Sequence, residues 1–82
     1  MILKRQNFDD KGRLVTTWTP GVISASRNYD ERWQSDVLWV YFGKESSLPS
    51  DMIVLEKDEG VYLCNDEGKT IEVLSRLQPQ PR

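Results

Sequence analysis

The segment 36–43 reads Asp-Val-Leu-Trp-Val-Tyr-Phe-Gly, and its six middle residues are all apolar. The run is short, β-branched and aromatic, so it predicts a strand rather than a helix. In a strand, Val37, Trp39 and Tyr41 point to one face, and Leu38, Val40 and Phe42 to the other. A sheet with one wet face alternates polar and apolar residues, and this segment does not. Any fold that contains it must cover it on both sides or display an aromatic patch. The cover comes from the chain itself or from a partner, and Trp and Tyr suit both roles. The chain has 82 residues, which is one domain with one small core. In so small a core the aromatic residues are expected to be needed inside.

Three stretches share a turn chemistry: Asp9-Asp10-Lys11-Gly12, Asp58-Glu59-Gly60 and Asn65-Asp66-Glu67-Gly68. Asp or Asn bonds back to the local backbone, and the closing Gly accepts a positive φ. Each predicts a short hairpin loop with a Gly bulge. Their acids do not have the spacing of a calcium loop, so turn chemistry accounts for them. Between the turns, segments 3–8, 13–19, 22–26, 37–42, 52–56, 61–64 and 70–73 read as strands. Pro20-Gly21 interrupts the second and third. Segment 74–77 finishes a strand or makes a helical turn, since Ile71, Leu74 and Leu77 also fit helical spacing. The stretch 27–35 reads as a connection with a single helical turn at 30–34, and 44–50 as a polar loop. Residues 1–77 form the expected domain, and 78–82, Gln-Pro-Gln-Pro-Arg, an expected flexible tail.

About six short strands in a chain of this size predict an all-β fold, a small barrel or a strongly bent antiparallel sheet ending in a hairpin. Within 37–56 an apolar strand, a polar loop containing Pro49 and the strand at Met52 follow in order. That order resembles the late strands of SH3-like, Tudor and KOW-type barrels over roughly a third of the chain.

Several functions are disfavoured by what the chain lacks. It has no His, which removes the usual general base and the commonest metal ligand. It has one Cys, so no internal disulfide and no Cys/His zinc site is expected. Cys64, in the run Val61-Tyr62-Leu63-Cys64, is expected as a buried, inert thiol. No Gly-rich phosphate loop is present, and no Ser has a base partner at a known spacing. No enzyme activity, cofactor or metal is expected. The absence of a long apolar run predicts no membrane span, and the early charges at Lys4 and Arg5 argue against a signal peptide. A cytoplasmic location is the resulting expectation.

What remains is binding. Arg27, Tyr29, Arg32 and Trp33 combine the residue types that dominate interfaces. Trp39 and Tyr41 join them as candidates if the central strand displays them; if they are buried against Trp18 and Trp33, binding falls to the loop and the acidic face. The alternative for the loop is that Tyr29 and Trp33 fold back as a lid over one end of the core. A methylated side chain in a cage is a further reading, with walls drawn from Trp18, Tyr29, Trp33, Trp39, Tyr41 and Phe42. Net charge is −2, with +2 over residues 1–35 and −4 over 36–82. The leading expectation is a non-catalytic protein-binding or inhibitory module that uses the aromatic and Arg loop and an acidic face to engage a larger protein. The alternative is a nucleic-acid-binding barrel using Lys4, Arg5, Lys11, Arg13, Arg27 and Arg32, against which stands an isoelectric point near 5.0. A homo-oligomer, formed through a free sheet edge or the second face of 37–42, is a third reading.

Overall fold

The computed structural model describes residues 1–42, 51–56 and 58–77. The expected tail 78–82 and the polar loop 44–50 lie outside them. Seven strands are described: β1 (Ile2–Phe8), β2 (Leu14–Thr19), β3 (Ser24–Asp30), β4 (Ser35–Tyr41), β5 (Asp51–Val54), β6 (Gly60–Cys64) and β7 (Thr70–Ser75). They form two antiparallel sheets, one in the order β2-β1-β6-β7 and one in the order β3-β4-β5. The fold is all-β as expected. The sheets are not closed into a barrel, so among the described residues four strands have an open edge: β2, β7, β3 and β5.

Local chemistry explains the hairpins. Asp9 closes the β1–β2 turn: its Oδ1 accepts the backbone N–H groups of Lys11 and Arg13, at 2.9 and 2.8 Å. Asn65 closes the β6–β7 turn in the same way, accepting from Glu67 and Lys69, both at 3.0 Å. In each the Gly sits at positive φ, 78° at Gly12 and 86° at Gly68, where a Cβ is unwelcome. The third predicted turn differs. Gly60 opens β6, and Glu59 before it is buried. That segment carries the chain from one sheet to the other, so it is a crossing and not a hairpin.

The stretch 27–35 also departs from expectation. Arg27 and Tyr29 belong to β3, whose pairing with β4 runs through to Asp30 opposite Ser35. Only residues 31–34 form the connection, a tight turn closed by the Gln34 N–H on the Glu31 carbonyl at 3.3 Å. The helical turn does not form there. Segment 74–77 likewise continues β7 to Ser75.

Register decides the core. Leu38 and Val40 share a face of β4 with Ala25 across one ladder and Ile53 across the other. Leu3, Val61 and Leu63 share a face of the first sheet. These two faces meet, with Val22, Leu55 and Leu74 completing one buried cluster. Burying an aliphatic side chain of this size contributes roughly 1.5–3 kcal/mol, so this cluster is what holds the two layers together.

Candidate functional site

The six residues singled out from sequence do not form one surface. Arg27 is a brace. Its Nε donates to Asp36 Oδ2 at 2.8 Å, its Nη2 donates to the same oxygen, and its Nη1 donates to the Leu74 carbonyl at 3.0 Å. It thus ties β3 and β4 to β7 in the other sheet. Trp39 and Tyr41 lie half-buried on the outer face of the second sheet, with Ser26 and Ser24 beside them on β3 and Met52 beside Trp39 on β5. Val37, on the same outer face, is fully buried between Asn28 and Val54. The central strand is therefore covered by the other sheet on one side and half-covered by its own neighbours on the other.

Tyr29, Arg32 and Trp33 sit at the end of the β3–β4 hairpin. Tyr29 is 63% exposed and Trp33 is 58% exposed. The expected lid over the core is not formed: β3 and β4 pair through to the last residue before the turn, which carries Trp33 out beyond the sheet. The tip is held by Asp30, whose Oδ1 accepts the Arg32 N–H at 2.8 Å and whose Oδ2 meets the Arg32 guanidinium at 3.1 Å. The side-chain bond from Arg32 is the main cause that holds the Asp30 carboxyl below the ordinary carboxylate range. A depressed carboxyl supports the folded hairpin above the ordinary range, and that support fades as pH falls through and below it. Gln34 occupies φ 50°, the left-handed position that Gly fills in the other two turns.

The six aromatics offered as cage walls do not gather at one place: Tyr29 and Trp33 are at the hairpin tip. Trp18 lies on the outer face of the first sheet, where Lys4 Nζ stands 5.5 Å from its ring centroid and 5.0 Å from that of Tyr62. Trp39 and Tyr41 are on the outer face of the opposite layer. The Lys4–Trp18–Tyr62 stack was not foreseen, because it depends on β1 lying between β2 and β6.

The cations of the first half are largely spent on partners. Arg5 pairs with Glu59 at 2.5 Å, Arg13 with Asp9 at 3.2 Å, Arg27 with Asp36 and Arg32 with Asp30. A cleft of about 410 Å³ opens at the seam of the two sheets, lined by Arg27, Ser35, Asp36, Leu55, Glu56, Ser75 and Arg76. Its central guanidinium, on Arg27, is already satisfied. Cys64 is fully buried. Among the described residues no three His, Cys, Asp or Glu side chains come together to hold a metal ion, and no helix is long and apolar enough to cross a membrane. Comparison with known proteins finds no matching family model, no matching curated protein and no matching solved structure.

Proposed function

We propose that this domain is a non-catalytic protein-binding module and that its contact surface is the tip of the β3–β4 hairpin. The observation that carries this reading is the exposure of Tyr29 and Trp33 beside Arg32 on a hairpin whose backbone is fixed by Asp30. Large aromatic side chains held out in water on a rigid support cost little entropy to dock and desolvate a large area on contact. Arg and aromatic residues are also the side chains that dominate binding energy.

The charge balance favours a protein over a nucleic acid. Between residues 27 and 36 two Arg stand against Asp30, Glu31 and Asp36, a sum of −1. Both Arg are paired within the chain. A phosphate backbone would have to displace those carboxylates. The acidic face contributes less to this reading than the aromatics do, since Glu59 and Asp36 are occupied by Arg5 and Arg27.

Affinity capture from cells that express the protein, comparing the natural chain with Trp33→Ala, tests this. A hot-spot residue is worth about 2 kcal/mol or more on truncation, so binding of the captured protein should weaken at least about 30-fold. The loss should persist in high salt, because aromatic burial is not screened. Equal capture by both chains would overturn the proposal.

A further inference from the structure

The open edges of the two sheets are not alike. β3 carries Arg27 and Asp30, β5 carries Asp51 and β7 carries Glu72. Charge on an edge strand is a common guard against pairing with another chain. β2 reads Leu-Val-Thr-Thr-Trp-Thr, with no charge, no Pro and no Gly. It is exposed on both faces, with Leu14 at 51%, Val15 at 43% and Trp18 at 50%. Among the described residues its strand partner is β1 alone.

The direction of its free backbone groups follows from the hairpin. The Asp9 N–H donates to the Arg13 carbonyl at 2.9 Å, so Asp9 and Arg13 are a hydrogen-bonded pair. Such pairs alternate along an antiparallel ladder. The register Asn7↔Val15, Arg5↔Thr17 and Leu3↔Thr19 therefore turns Val15, Thr17 and Thr19 toward β1. Leu14, Thr16 and Trp18 turn their N–H and C=O groups to the open edge.

We propose that β2 pairs antiparallel with β2 of a second copy, about a two-fold axis at Thr16. Thr16 then faces its twin, and Leu14 faces the partner's Trp18 on the same side of the joined sheet. Each of these facing pairs exchanges both backbone hydrogen bonds, so the whole edge is used. A slip by one residue sets outward-turned groups against inward-turned ones. A slip by two in one direction sets Leu14 against Pro20, which has no N–H. In the other direction it sets Trp18 against Gly12 in the turn. The same strand thus supplies both halves of its best complement, which is the condition for an isologous dimer. The pairing also covers Leu14 and Trp18, two of the most exposed apolar residues of the first sheet, and uses no residue of the hairpin tip.

The mass of the 82-residue chain in solution, measured by sedimentation from about 1 µM to about 1 mM, tests this. It should rise from 9.5 kDa toward twice that value. Thr16→Lys and Thr16→Glu each place like charges on the axis, and each alone should stay at the single-chain mass. Mixed in equal amounts they should recover the double mass, a rescue that misfolded chains cannot give. Thr16→Cys should cross-link two chains under mild oxidation, since paired Cα atoms near 5.5 Å suit a disulfide. Thr17→Cys, opposite Val15 and on the other face, should not. A natural chain that stays single throughout would overturn the proposal and leave the edge to a strand of another protein. A dimer indifferent to Thr16→Lys, or cross-linked through Thr17→Cys, would overturn it as well.

Discussion

At the scale of single residues, the turns show how far side-chain chemistry alone fixes backbone. Asp9 and Asn65 accept the same pair of N–H groups at the same offsets, and each is followed three positions later by a Gly at positive φ. Those two hairpins were legible because both signals stand in the sequence. The β3–β4 turn has the first signal, Asp30, but lacks the second, since Gln34 fills the left-handed position. That is why 27–35 read as a longer connection. A side chain with a Cβ in this region costs roughly 1–2 kcal/mol, and Gly gives back part of that gain in backbone entropy. Gln34→Gly should therefore stabilise the domain by about 0.5–1 kcal/mol. Thermal unfolding should move up by a few degrees, without loss of binding at the tip.

At the scale of strands and their connections, two pairs of an Arg with a carboxylate differ in worth. Arg13 and Asp9 meet within one hairpin, and the Arg13 side chain is 71% exposed. Arg5, on β1, reaches Glu59 in the crossing between β5 and β6, and the Glu59 side chain is 8% exposed. Truncating Arg5 leaves a carboxylate with little access to water, whereas truncating Arg13 leaves one that water can reach. Arg5→Ala should cost about 2 kcal/mol, below the usual 3–5 because Arg5 itself is a third exposed. Arg13→Ala should cost less than about 0.5 kcal/mol. Urea titrations of the two variants side by side check this. The letters Asp58-Glu59-Gly60 resemble the other turns, and only the placement of β5 and β6 in different sheets separates them. Local composition carries no record of which strands become neighbours.

At the scale of the whole molecule, the core is a single cluster shared by two layers. Leu38 is fully buried at its centre. Leu38→Ala should cost about 2–5 kcal/mol, a large share of the 5–15 kcal/mol available to a domain. Denaturant midpoints should fall accordingly, and a chain this small should be largely unfolded at the upper end of that range.

The sequence by itself determined the all-β class, most of the strands, two of the three hairpin turns among the described residues and the equal apolarity of both faces of β4. These follow from neighbours along the chain: side chains alternate with period two, and turn residues bond within a few positions. Only the tertiary structure decided which face of β4 meets the other sheet. Alternation groups Leu38 with Val40 and Trp39 with Tyr41, but the choice between the groups depends on Leu3, Val61, Leu63 and Leu74 arriving from both ends of the chain. The same packing separated Arg27, Tyr29, Arg32, Trp33, Trp39 and Tyr41 into a brace, a hairpin tip and a half-covered sheet face. Burial and pairing across the two layers are long-range outcomes, and no short stretch of residues contains them.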